Sequence, residues 1–325
     1  MTRAAFSYDF PHRHLISVAD LNPVDIRIIF ERAAHWLAVN RTPDKSSDVL
    51  KGLTVLNLFF EASTRTQGSF EMAGKRLGAD VVNFAVAHSS ASKGESLSDT
   101  ARTLAAMRPD IMVVRHSATG APRFLAERTG LAVVNAGDGM HEHPTQALLD
   151  SFTLAQHWGE VGGKRILIVG DILHSRVARS NIGLLNILGA EIRLCAPPTL
   201  LPSDVDQWGC DVFHDLDEAL QDCDAVMALR QQKERMSGGF VPSAREFFHL
   251  FGLTHERLEV CSPDVLVMHP GPMNRGTEIH TKLADDPEKS VILEQVESGV
   301  AVRMAVLELI GETIRRDFGN REAGQ

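Results

Sequence analysis

The stretch "LTVLNLFFEASTRTQGSFEMAG", residues 53–74, changes character near its middle. Leu53 to Phe60 is an apolar run of strand length, interrupted only by Thr54 and Asn57. Such a run, closed by turn chemistry, reads as a strand buried on both faces of a parallel sheet. Ser63, Thr64 and Thr66 then follow in a row with Arg65. Thr64 and Gln67 fit the S/T-x-x-E/Q capping box, so a helix is predicted to begin there and to cover Thr66–Leu77. Strand, polar turn and helix together make half of a βαβ unit.

The same alternation recurs along the chain. Further strands are predicted at Asp80–Val86, Asp110–Val114 and Ala132–Asn135, then at Arg165–Val169, Glu191–Cys195, Ala225–Leu229 and Val265–Met268. Helical spacing is found at Ser96–Met107, Ala121–Arg128, Pro144–His157, Arg176–Leu188 and Ser290–Arg316. Alternation of this kind predicts an α/β fold with two doubly wound domains, each a mainly parallel sheet flanked by helices. The 325 residues agree with two domains of roughly 150 residues. The helix at Pro144–His157 and the glycines Gly159, Gly162 and Gly163 mark the boundary. The expected division is 1–148 and 149–299, with a C-terminal helix over about 300–325 packing back on the first domain.

Composition removes several classes of function. A net charge of -9 argues against a general nucleic-acid or anionic-membrane binder, so an anion site must be local. No run approaches the roughly 20 apolar residues of a membrane span. The opening "MTRAAFSYDFPHRH" lacks an apolar signal core. Cys195, Cys210, Cys223 and Cys261 form no C-x-x-C pair and read as ordinary thiols of a reducing compartment. A cytoplasmic protein is expected.

In open parallel sheets, ligands sit beyond the carboxyl ends of the strands. Polar clusters fall at those places here. Ser63–Thr66 follows the first strand, Arg115 and His116 the third, and "NAGDGMHEHPTQ" the fourth. "GDILHSR" follows the fifth, "RQQKER" the seventh and "HPGPMNRG" the eighth. A helix N-terminus beside Arg65 suits a phosphate, since unpaired N–H groups and a planar fork both favour an anion. A plain helix cap with a solvated arginine would look the same. Lys93, in "SSASKGESLSDT", reads by itself as a mobile loop residue. His141 and His143 could hold a metal, but the supporting acidic ligands do not emerge, and a neutral histidine can instead donate to an oxyanion. Gln146 falls on the same helix face as His143. Asp138, between two glycines, fits a turn. Neither a Walker loop nor G-x-G-x-x-G is present. Arg176 and Arg230 would suit a dicarboxylate if they share a cleft, and surface ion pairs if they do not.

Four stretches, in this order, carry a family resemblance: "FFEASTRTQGSFEMAGKRLGA", "SKGESLSDT", "NAGDGMHEHPTQALLD" and "HPGPMNRGTEI". The chain resembles the transcarbamoylases from about Leu15 to Arg316, and within them the aspartate-using catalytic chains. The His-Cys-Leu-Pro and Ser-Met-Gly stretches usual in the ornithine-using branch are missing. The resemblance implies carbamoyl transfer from carbamoyl phosphate to L-aspartate, in pyrimidine biosynthesis, with no metal and no organic cofactor. It implies that Ser63, Thr64, Arg65 and Thr66 hold the phosphate. Arg115, His143 and Thr66 would meet the carbonyl oxygen. Gln146, with the backbone carbonyls of Pro270 and Gly271, would meet the carbamoyl nitrogen. Arg176, Arg230 and Gln232 would bind aspartate. Ser89 and Lys93 would arrive from a neighbouring subunit of a homotrimer, which in the family can carry regulatory chains or a dihydroorotase. Two other readings stay open: a transcarbamoylase for another amine such as ornithine, and a non-catalytic scaffold of the same fold.

Overall fold

The computed structural model describes residues 10–85, 96–232 and 243–323. Pro23 opens helix α1 (Pro23–Asn40), whose Ile26, Ile29, Ala33, Trp36 and Leu37 recur at helical spacing and are buried. The apolar run of the opening stretch forms strand β1 (Thr54–Phe59), buried at every residue after the first. Helix α2 (Thr64–Arg76), strand β2 (Asp80–Ala85), helix α3 (Leu97–Ala106), strand β3 (Ile111–His116), helix α4 (Ala121–Thr129) and strand β4 (Ala132–Asp138) follow. The four strands are parallel in the order β2-β1-β3-β4. The strand order therefore reverses between β1 and β3.

Helix α5 (Pro144–Trp158) leads to strand β5 (Arg165–Val169), helix α6 (Arg176–Leu188) and strand β6 (Glu191–Cys195). Strand β7 (Asp211–Phe213), helix α7 (Leu216–Ala219), strand β8 (Ala225–Ala228), helix α8 (Ala244–Phe251), strand β9 (Leu266–Met268) and helix α9 (Thr281–Ala284) come next. The last element is helix α10 (Ile292–Ala323). The second sheet is parallel in the order β7-β6-β5-β8-β9, and it reverses between β5 and β8. It has five strands where the sequence led to four. β7 is three residues long at the sheet edge, too short to show a period.

The chain packs as two units. One comprises Met1–Ile16, Val24–Asp138 and Val300–Gln325; the other comprises Ser17–Pro23 and Gly139–Gly299. Each has its own core. Leu56, Leu58, Met112, Val114, Leu104 and Leu125 cluster in the first, and Ile166, Ile168, Leu185, Val226, Phe247 and Val267 in the second. In the first unit α10 is buried almost all round from Val300 to Ile314. Arg303 donates to Ser69 Oγ at 2.8 Å, and Trp36 Nε1 donates to Glu308 at 2.7 Å.

Candidate active site

In the first unit the helix after β1 starts one residue earlier than the capping box predicts. Ser63 is the cap and Thr64 the first helical residue. The reciprocal Thr64–Gln67 box is therefore not the device that starts α2. Ser63 directs its hydroxyl to Thr66 Oγ1 at 3.0 Å rather than to a backbone N–H. The N–H groups of the first turn thus keep the character of an anion site. Thr66 is buried, while Thr64 and Arg65 are exposed.

Arg115 pairs in register with Phe59 on β1, and its carbonyl accepts from Phe60 N–H at 2.9 Å. The guanidinium is thus carried to the exit of the strand that leads to Ser63. Its Nε is 3.5 Å from Glu61 Oε2, and its Nη1 donates to Ala136 O at 3.4 Å. Glu61, whose partner the sequence leaves open between Arg65 and a basic group of a neighbouring subunit, lies beside Arg115. Next to it, burial holds the His116 imidazole below its usual value, against the upward pull of Glu61 and Asp138. Asp138 ties the exit of β4 to the start of α4, accepting from Gly120 N–H at 2.7 Å and Asn135 Nδ2 at 2.9 Å. Arg115 and the Ser63–Thr66 turn lie at the exits of β3 and β1, where the first sheet reverses and open α/β sheets place their ligands. Ser89 and Lys93 lie outside the described residues.

The second unit repeats the arrangement. The exits of β5 and β8 flank its reversal point. Asp171, fully buried just after β5, accepts from His174 N–H at 3.2 Å through Oδ1 and from Gln232 N–H at 2.9 Å through Oδ2. One carboxylate thereby holds the two exits together. Arg230 Nη2 is 3.4 Å from Gln232 Oε1. Arg176, the first residue of α6, is buried and donates to Gly139 O at 3.2 Å. Ser180 Oγ donates to Arg176 O at 2.9 Å and accepts from His143 N–H at 2.7 Å. That brings the start of α5 against α6. His143 is the cap residue of α5 and is buried; Gln146, one turn on, donates through Nε2 to Asp150 at 2.9 Å. Pro270 and Gly271 follow β9, where Gly271 N–H donates to His269 Nδ1 at 2.8 Å. Ser180 thus joins His143 and Arg176, Asp171 anchors Gln232 beside Arg230, and His269 holds the Pro270–Gly271 turn.

Sequence reading missed Asp171, Asp150, Glu278 and Gln295, all of them buried partners of these groups. The only available signal was a polar residue inside an otherwise apolar helix, as at Asp150. His174 and His269 have carboxylate neighbours, Asp171 at 2.9 Å and Glu278 at 3.1 Å. Among the described residues, no group of three or more His, Cys, Asp or Glu is placed to hold a metal ion. All four cysteines, which lie among the described residues, are free thiols. Burial raises Cys195, Cys210 and Cys261 to about 12 and Cys223 to about 11, which suits inert thiols.

Two parallel sheets whose reversal points carry arginines, hydroxyls and helix N-termini belong to the open α/β proteins, which place their ligands beyond the strand ends. Residues 13–156 match the family described as aspartate/ornithine carbamoyltransferase, carbamoyl-P binding domain, and residues 162–310 match its Asp/Orn binding domain. The chain belongs to the aspartate/ornithine carbamoyltransferase family. It is 92% identical over 317 residues to the aspartate carbamoyltransferase catalytic subunit of Maricaulis maris, covering 98% of this chain and 99% of that one. With the corresponding subunit of Brucella ovis it shares 56% over 322 residues, 99% of each chain. Among solved structures it is similar to aspartate transcarbamoylase from Trypanosoma cruzi in complex with carbamoyl phosphate and aspartate. There the TM-score is 0.79 at 33% identity, over 91% of this chain and 95% of that one. Ornithine carbamoyltransferase from Pyrococcus furiosus matches with a TM-score of 0.83 at 26% identity, over 93% and 98%. The higher score of the ornithine enzyme means that backbone shape alone does not choose the amine. Among the described residues no helix is long and apolar enough to cross a membrane.

Proposed function

We propose that this chain transfers the carbamoyl group of carbamoyl phosphate to the amine of L-aspartate, giving N-carbamoyl-L-aspartate and phosphate for pyrimidine biosynthesis. The observation that carries the reading is the 92% identity, over 98% of the chain, to an aspartate carbamoyltransferase catalytic subunit. Residues 1–148, with about 300–325, form the carbamoyl-phosphate-binding part in this reading, and 149–299 the aspartate-binding part. His143 and Gln146 belong to the first part by role and to the second unit by packing.

The amine attacks the carbonyl carbon, so negative charge grows on the carbonyl oxygen. Thr66, Arg115 and His143 serve as donors to that oxygen. Ser63, Thr64, Arg65 and the N-terminus of α2 hold the phosphate and stabilise it as it leaves. Gln146 and the carbonyls of Pro270 and Gly271 accept from the carbamoyl nitrogen. Arg176, Arg230 and Gln232 take the two carboxylates of aspartate, for which paired guanidinium forks are suited. Glu61 keeps Arg115 aimed. Ser89 and Lys93 complete the site from a neighbouring subunit of a homotrimer working in the cytoplasm; regulatory chains or a dihydroorotase are candidates for further partners of that trimer.

The test is an amine-acceptor assay. Robust turnover with aspartate and none with ornithine is expected; the reverse pattern would sink the assignment. Arg65→Ala is expected to keep its fold and to lose about 10²–10³-fold in kcat, the scale of one transition-state donor.

A further inference from the structure

Behind Gln146 lies a buried carboxylate that the roles above do not use. Asp150 sits one turn further along α5 and is 0% exposed. Its Oδ1 accepts from Gln146 Nε2 at 2.9 Å and from Gln295 Nε2 at 2.7 Å; its Oδ2 accepts from Asn181 Nδ2 at 2.9 Å. A carboxylate that only accepts dictates which end of each amide faces it. Gln146 must turn its nitrogen towards Asp150, so the end it turns away is Oε1, an acceptor. Gln295 is held the same way by its nitrogen, and its Oε1 accepts from His269 N–H at 2.9 Å. His269 in turn accepts from Gly271 N–H at 2.8 Å and lies 3.1 Å from Glu278 Oε1. Asp150 sets the direction of the Gln146 and Gln295 amides, and the His269 ring is oriented by Gly271 N–H and Glu278. Reversing one amide would set nitrogen against nitrogen or oxygen against oxygen.

We infer that Asp150 is the positioning residue for recognition of the carbamoyl –NH2. It presents Gln146 Oε1 directly and, through Gln295 and His269, the Pro270–Gly271 turn, as a set of acceptors. The inference rests on the carbamoyl-transfer reading. Its chemical sense lies in what the –NH2 must be told from. Acetyl phosphate carries a methyl of nearly the same size, and shape rejects it poorly. A set of fixed acceptors rejects it well, because the methyl leaves them unpaired. A glutamine free to flip would offer N–H as readily as oxygen and lose that preference.

Asp150→Leu removes the acceptor at similar size. Carbamoyl phosphate affinity and competitive inhibition by acetyl phosphate are measured side by side in the intact enzyme. Carbamoyl phosphate should weaken on the order of 10–100-fold while acetyl phosphate shifts less than about threefold. Asp150→Asn can still turn its oxygen to both glutamines, and its nitrogen can donate to Asn181 Oδ1 once that amide turns, so it should recover part of the lost preference. Gln295→Leu should lower the same ratio by a smaller factor, and it decides the matter if the Asp150→Leu chain does not fold. Equal weakening of both ligands, or an unchanged ratio, overturns the inference. Wild-type enzyme that fails to carbamoylate aspartate would instead sink the activity reading itself.

Discussion

Single residues here matter through the backbone they force as much as through the groups they carry. Gly170, between β5 and Asp171, has φ +127°, and a Cβ there would stand 2.6 Å from Leu229 O. Both strand exits at the second reversal point would have to shift. Gly170→Ala is therefore expected to destabilise the fold by about 1–3 kcal/mol, read by urea denaturation, and to weaken aspartate binding as Arg230 moves. The cysteines make the opposite case, side chains whose setting silences their chemistry. With thiols raised to about 11 or 12, about one in 10³ or fewer is ionised near pH 8. Native protein should resist iodoacetamide at that pH, and unfolded protein should be alkylated at all four cysteines. Rapid native labelling would contradict the burial.

At the scale of elements, position in the sheet counts for more than the sequence of any one loop. The Ser63–Thr66 turn and Arg115 belong to different βα units, and they become neighbours because β1 and β3 pair across the reversal of strand order. Helix α10 shows how an element's burial sets its protonation. Burial raises the Glu308 carboxyl above its ordinary value, outweighing the opposing pull of Arg32 and the hydrogen bond from Trp36. The unfolded chain then loses this proton first as pH rises. Between the ordinary value and the raised one the folded state holds more protons. The stability contribution is full below that window and is lost as pH rises through it. Glu308→Gln, which cannot titrate, should flatten this part of the stability curve, measured by denaturant melts from about pH 4 to 7. An unchanged slope would show that other groups set it.

At the scale of the whole molecule, the proposed sharing of sites between subunits makes a clear prediction. Lys93→Ala and His143→Ala trimers should each be nearly inactive. Mixed and reassembled, they should regain part of the activity, since some sites would then combine an intact Lys93 with an intact His143. No recovery in well-mixed trimers would count against sharing. Much of the architecture was open to sequence reading. Most apolar runs of strand length end in a polar cluster, and that pattern, with the rule that open sheets bind at strand ends, is what led to the expectation of a local anion site in an α/β fold. The hydroxyl row with Arg65, the two histidines before Pro144 and the "HPGPMNRG" turn all announce themselves by residue type. What stayed hidden were the short edge strand β7, the true cap of α2 and the buried carboxylates Asp150 and Asp171. These depend on partners far along the chain: Asp150 meets Gln295, and Asp171 meets Gln232. By itself the sequence determined the residue chemistry and the local alternation, because hydrophobic period and turn residues act over a few positions. Only the tertiary structure decided which strand exits adjoin and which way each buried amide faces, because both follow from pairings between segments that sequence distance does not encode.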